Sequence, residues 1–181
     1  MNLPNLISMG RLLSVPVIVW LILIGRMTEA FWLFLAAGIS DALDGYLAKR
    51  MNAETTFGRH LDPLADKALL VCVYITLGHS GDLATWLVIM VVFRDALIVG
   101  GAILFQSLTR SLTMDPYVIS KVNTLFQIIL ATVVLADLGL NFHIGWLVDA
   151  LTYAVAATTF ASGAVYVVEW SRRAATMEEQ E

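Results

Sequence analysis

Long apolar runs, interrupted by short polar segments, dominate this chain. A bilayer-spanning helix needs about 20 mostly apolar residues. On that template the pattern predicts six helices, over 11–25, 30–47, 58–79, 83–105, 118–135 and 143–168. Residues 4–10 are short and mixed, but Asn5, Ser8 and Arg11 form a polar strip leading into the first helix. Polar turns are expected at 26–29, 78–82 and 137–142, and longer loops at 49–57 and 106–117. Thr55 or Thr56 is a candidate N-cap for the third helix, and Pro63 falls early enough to be compatible with its start. No internal repeat is visible, so residues 1–181 are read as one domain, with a charged tail over 171–181 expected to be disordered.

Composition supports the same class. Of 181 residues, 59% are hydrophobic and 14% charged, and the mean hydropathy is +0.77, which is outside the range of ordinary soluble domains. The expected fold is therefore an all-α integral membrane protein with six transmembrane helices. An even number of spans puts both termini on one side. With them lie Arg11, Lys49, Arg50, Arg59, Lys67, Arg110, Lys121, Arg172 and Arg173, against Arg26 alone on the other side and Arg94 within a span. Basic residues accumulate on the cytoplasmic side, so both termini are expected to be cytoplasmic. The single cysteine, Cys72, allows no intrachain disulfide. The basic residues are scattered, which gives no nucleic-acid-binding pattern. The N-terminal stretch has neither a basic n-region nor an Arg-rich transit composition, so a bacterial inner membrane is the expected location.

The candidate chemistry lies between Asp41 and Asp66. Asp41 and Asp44 are three residues apart, and Asp62 and Asp66 are four apart, so on helices each pair shares a face. Both pairs adjoin apolar runs, where ionisable groups are costly and suggest a functional site. Four acids on adjoining helices repel one another unless cations lie between them. An all-oxygen ligand set suits a hard divalent ion, Mg2+ first and Mn2+ second, and two such ions could bind nucleotide phosphates. The structural alternative is salt bridging of the acids to Lys49, Arg59 and Lys67. A divalent-cation transporter would also carry acids within its spans, though nearer mid-membrane and often with internal repeats.

The run Asp41-x2-Asp44-Gly45-x2-Ala48-Lys49-x8-Gly58-x3-Asp62-x3-Asp66 resembles the signature of the CDP-alcohol phosphatidyltransferase family, D-x2-D-G-x2-A-R-x8-G-x3-D-x3-D. Lys49 stands at the usual arginine, keeping the charge but not the bidentate fork. The resemblance implies transfer of a phosphatidyl group from CDP-diacylglycerol to an alcohol, with release of CMP, by a six-helix and commonly homodimeric membrane enzyme. It implies metal ligation by Asp41, Asp44, Asp62 and Asp66, with Asp66 also the candidate general base. Contacts to CDP would come from Asp41, Gly45, Ala48, Lys49 and Gly58, at the cytoplasmic face.

Two branches of the family compete. The opening from Asn2 to Arg11 looks like that of both phosphatidylglycerophosphate synthases and CDP-diacylglycerol-dependent cardiolipin synthases. In the fourth span Arg94-Asp95 matches the start of the glycerophosphate-type pattern, but Ala102 stands where its second arginine falls. The run Ser120-Lys121-Val122-Asn123-Thr124 with Gln127 resembles the cardiolipin branch. Phosphatidylglycerol is therefore the expected acceptor, and glycerol 3-phosphate the alternative. Arg94, Arg110 and Lys121 are the candidate acceptor-phosphate residues. Arg94-Asp95 reads equally as a structural intramembrane pair, and Lys121 as a marker of the membrane boundary.

Overall fold

Backbone polar groups buried in hydrocarbon must be satisfied internally, so apolar runs of this length fold as α-helices. The computed structural model describes the backbone of residues 3–51, 56–109 and 118–178, and side chains over 9–40, 67–101 and 118–172. Within these limits the chain forms α1 (Leu3–Leu23), α2 (Met27–Met51), α3 (Thr56–Ser80), α4 (Thr85–Thr109), α5 (Val118–Leu140) and α6 (Gly145–Glu178). No strand occurs among the described residues. By length and composition α5 and residues Gly145–Arg172 of α6 can each cross a membrane. Shorter apolar helical stretches cover Met9–Leu23, Met27–Ser40 and Lys67–Ser80.

Helices α2, α4 and α5 end at Met51, Thr109 and Leu140 rather than at 47, 105 and 135, and two other boundaries differ more. Helix α1 begins at Leu3 rather than near residue 11. Asn5, Ser8 and Arg11 recur every third residue, a spacing that fits one helical face. The last helix runs on to Glu178, through most of the tail expected to be disordered. Arg172-Arg173-Ala174-Ala175 are favourable helix residues, and leaving an apolar environment ends the hydrophobic pattern without ending the helix.

Packing among the described residues forms a closed circuit. Helix α1 touches α2, α2 touches α5, α5 touches α6, α6 touches α4, α4 touches α3, and α3 returns to α1. Contact between α3 and α5 closes the middle. The side chains filling this interior include Ile18 and Ile22, Phe34, Val73, Tyr74 and Leu77, Leu87 and Val91, Leu130 and Leu135, and Val155. The Tyr74 hydroxyl donates to the Gln127 carbonyl at 3.1 Å, tying α3 to α5. The exterior is apolar too: Leu13, Trp20, Trp32, Ile89, Phe93, Trp146, Tyr153 and Phe160 are exposed. A surface of this kind suits lipid rather than water.

The connections opposite the acidic end are tight. After α1 and again after α3, a glycine takes positive φ, Gly25 at 75° and Gly81 at 85°. The following amides, Arg26 N and Asp82 N, bond back to Leu21 O and Leu77 O at 2.9 Å. Both are helix ends in which a left-handed glycine lets the chain satisfy the last carbonyls. Arg26 pairs with Glu29 in the first of these turns. Between α5 and α6, Asp137 Oδ1 accepts from the Ile144 amide at 2.8 Å and so caps the start of α6. Where α5 ends beside the start of α2, Thr28 Oγ1 donates to the Gly139 carbonyl at 2.6 Å.

Candidate functional site

Helix α2 carries Asp41, Asp44, Gly45, Ala48 and Lys49 in its C-terminal half, and α3 carries Gly58, Asp62 and Asp66 in its N-terminal half. The two acidic pairs therefore lie toward the end of one helix and the start of the next, with residues 52–55 between the two helices in the chain. Within each pair the spacing is one helical turn. The side chains of these eight residues, and Arg110 altogether, lie outside the described residues.

Immediately after Asp66, the structure describes a network of charges. Lys67 Nζ lies 3.5 Å from Asp95 Oδ1 on α4. The same oxygen accepts from Arg94 Nη1 at 2.6 Å. Arg94 also donates through Nη2 to Ser120 Oγ of α5 at 2.7 Å, and through Nε to Ser162 Oγ of α6 at 3.2 Å. Its guanidinium is 3% exposed, while the Lys67 side chain is 40% exposed. A fully buried cation is tolerable only when paired and hydrogen-bonded, and here Asp95 of α4, Ser120 of α5 and Ser162 of α6 supply the partners. Of the two sequence readings of Arg94, the geometry is that of the structural pair.

Lys121 is exposed, and it lines a cavity of about 380 Å³ with Lys67, Ser120, Thr124, Leu125 and Ile128. Two lysines, a serine and a threonine together with Leu125 and Ile128 make the lining of this slot amphipathic. A second cavity, of about 400 Å³, extends between α1, α2, α3 and α5. It is lined by Arg11, Phe34, Gly38, Leu70, Thr124 and Thr132 among others. Ala37 and Gly38 stand one turn before Asp41, and Leu70 one turn after Asp66, so this cavity adjoins the acidic helix ends.

Behind the slot, α5 is held to α6 by polar contacts. Asn123 Oδ1 accepts from Thr158 Oγ1 at 2.8 Å and Thr159 Oγ1 at 2.9 Å. Asn123 and Gln127, which the sequence singled out as a branch marker, are buried at 0% and 1% exposure and line neither cavity.

Two participants were not assigned from the sequence. From the sequence Lys67 reads only as a salt-bridge partner of the acids and a topology marker, although its place directly after Asp66 is a signal. Ser162 is the second, a small residue buried on α6. Nothing local marks it as a partner of Arg94, which is 68 residues away. Among the described residues no three or more His, Cys, Asp or Glu side chains form a metal-binding cluster.

Comparison with known proteins bears on what this arrangement belongs to. The chain is 38% identical to a chloroplastic CDP-diacylglycerol–glycerol-3-phosphate 3-phosphatidyltransferase of Oryza sativa, over 94% of this chain and 57% of the relative. It is 33% identical to a cardiolipin synthase (CMP-forming) of Rattus norvegicus, over 91% of this chain and 60% of the relative. It is 32% identical to a CDP-diacylglycerol–glycerol-3-phosphate 3-phosphatidyltransferase of Rickettsia bellii, over 91% of this chain and 93% of the relative. The chain thus spans under two thirds of the rice and rat proteins and nearly all of the rickettsial one. The family profile described as CDP-alcohol phosphatidyltransferase matches residues 1–163. With the spaced aspartates on α2 and α3 inside that match, the chain belongs to the CDP-alcohol phosphatidyltransferase family.

Proposed function

We propose that this protein transfers a phosphatidyl group from CDP-diacylglycerol to phosphatidylglycerol, forming cardiolipin and CMP. The acceptor hydroxyl attacks the phosphorus that bears the diacylglycerol group. One P–O bond forms, the P–O bond to CMP breaks, and the electron pair leaves with the CMP phosphate. Asp66 takes the proton of the attacking hydroxyl. Asp41, Asp44, Asp62 and Asp66 form an all-oxygen donor set that would hold two Mg2+ or Mn2+ ions. When bound, such ions neutralise the charge that develops on the leaving phosphate. Gly45 and Gly58 let the nucleotide approach the backbone closely, Ala48 keeps that face low, and Lys49 binds the diphosphate.

The single observation that carries the choice of a lipid acceptor is the slot beside Asp66. It joins Lys67 and Lys121 to Leu125 and Ile128, suited to a molecule with both a phosphate and an acyl chain. Glycerol 3-phosphate needs only the charged end. That second reading is favoured by the rice relative, which has the higher identity of the two branches and is named for glycerol 3-phosphate. Family membership leaves the transporter reading without support.

In this reading all six helices cross a bacterial inner membrane with both termini cytoplasmic. It is supported by nine of the eleven basic residues falling on one side of a six-span topology. The test is CMP release by purified protein supplied with CDP-diacylglycerol and Mg2+ or Mn2+. Release with phosphatidylglycerol alone supports the proposal, and release with glycerol 3-phosphate alone overturns the acceptor assignment. Asp62→Asn and Asp66→Asn are each expected to abolish release, and full activity in either removes that residue from its role.

A further inference from the structure

We propose that Asp95 is a positioning residue for the acceptor. Clamped by Arg94, its carboxylate fixes the Lys67 ammonium so that Lys67, Ser120 and Lys121 together grip the acceptor's phosphate. The proposal rests on the phosphatidyl-transfer reading and deepens it, since it names the residues that read the acceptor and the one that sets them.

Three observations converge on it. The first is a shared oxygen: Asp95 Oδ1 receives Arg94 Nη1 at 2.6 Å and stands 3.5 Å from Lys67 Nζ. Arg94 is itself immobilised by Ser120 and Ser162, so Asp95 is aimed by two other helices. A lysine is a point charge on a long flexible stem. Anchoring its ammonium before the ligand arrives removes part of the ordering cost of binding.

The second observation is charge. The Arg94 and Asp95 charges cancel in the buried layer, which leaves Lys67 and Lys121 to face the cavity they both line. Arg94, Asp95 and Lys67 together carry one net positive charge and Lys121 adds a second, matching the one negative charge of a phosphodiester or the two of a phosphomonoester. The third is the Ser120 hydroxyl. It accepts from Arg94 at 2.7 Å and therefore keeps its own proton to donate toward a phosphate oxygen in the same cavity. Arg94 thus acts one step behind the ligand, through Asp95 and Ser120, rather than as a phosphate contact.

The ligand chemistry is a phosphate ester, whether lipid headgroup or soluble glycerol 3-phosphate. The experiment runs both acceptors with wild type, Lys67→Gln, Asp95→Asn, Asp95→Glu and the double variant Lys67→Gln/Asp95→Asn. The KM for acceptor and for CDP-diacylglycerol is read from CMP release. Losing one anchored charged contact predicts a rise in acceptor KM of about tenfold in Lys67→Gln and in Asp95→Asn. The KM for CDP-diacylglycerol is expected to stay near that of wild type. Asp95→Glu should recover most of the loss, and the double variant should be no worse than Lys67→Gln, because the two residues act as one unit.

An unchanged acceptor KM in Lys67→Gln overturns the proposal, as does a further tenfold loss in the double variant. An unchanged acceptor KM in Asp95→Asn overturns it too, and if that variant fails to fold, Arg94→Met/Asp95→Leu, which removes both buried charges, takes its place with the same expected rise. If wild type releases CMP with neither acceptor, the phosphatidyl-transfer reading itself fails and this proposal falls with it. If only glycerol 3-phosphate is used, the acceptor assignment fails while the Lys67 and Asp95 measurements are read on that substrate.

Discussion

Replacing Arg94 by Met separates a structural cation from a phosphate ligand. The substitution keeps much of the side-chain volume on α4 and deletes the guanidinium, so Asp95 loses its 2.6 Å partner while its side chain remains only 11% exposed. Removing one member of a buried pair costs ~3–5 kcal/mol, because the other charge is left uncompensated. Lys67 stays 3.5 Å from Asp95, but its side chain is 40% exposed and screened, so it offsets no more than ~1 kcal/mol. Ser120 and Ser162 lose a donor but can bond to carbonyls of their own helices. The net expectation is a destabilisation of ~2–4 kcal/mol, lowering the melting temperature in detergent by on the order of 10 °C. Arg94→Met/Asp95→Leu, which removes both charges, should recover most of that loss. The readout is thermal unfolding of purified protein with no substrate present. A single variant that melts within about 1 °C of wild type would refute the reasoning. It would return Arg94 to the acceptor-phosphate role that its place in the sequence also allowed.

Two other perturbations test the frame around the site. A Cβ at Gly139 would come within 2.9 Å of the Met27 carbonyl group and Thr28 Cα, which are backbone atoms and cannot rotate away. Gly139→Ala should therefore cost ~1–3 kcal/mol by thermal melt, whereas Gly145→Ala, which opens into free space, should cost far less; equal effects would contradict the close approach of α2 and α5. In the turn after α3, burial pushes the Asp82 carboxyl above its ordinary value. Its charged form is thus disfavoured in the folded state, so stability is highest below the ordinary carboxylate range and falls as pH rises through the raised value. Asp82→Asn should flatten that part of the stability–pH curve and raise stability at neutral pH, and an unchanged curve would remove Asp82 as its source.

The sequence was most informative where residue spacing itself carries the chemistry. The aspartates at 41, 44, 62 and 66 fall at the spacing of the family signature they resemble, and the profile match over residues 1–163 agrees; helical periodicity adds only that each pair shares a face. Hydropathy located all six helices but not their ends. At α1 the polar strip from Asn5 to Arg11 interrupts the hydropathy pattern although its spacing is helical. At α6 hydrophobicity ends about ten residues before the helix does. Tertiary partnership was least legible. Arg94 and Asp95 are adjacent, so their pairing could be guessed, but neither Ser162 nor the convergence of Lys67 on Asp95 follows from any local rule. Those contacts depend on how α3, α4, α5 and α6 are arranged around one another, which no single segment encodes.

Thr124 and Ile128 line both cavities, so one stripe of α5 forms the partition between them. A change in bulk at either position is felt on both sides at once: widening one chamber by trimming Ile128 also thins the boundary with its neighbour. Reshaping of one side therefore cannot proceed at these two positions without altering what the other side accommodates. Independent tuning must come from residues that border a single chamber, such as Phe34 and Leu70 on one side and Leu125 on the other.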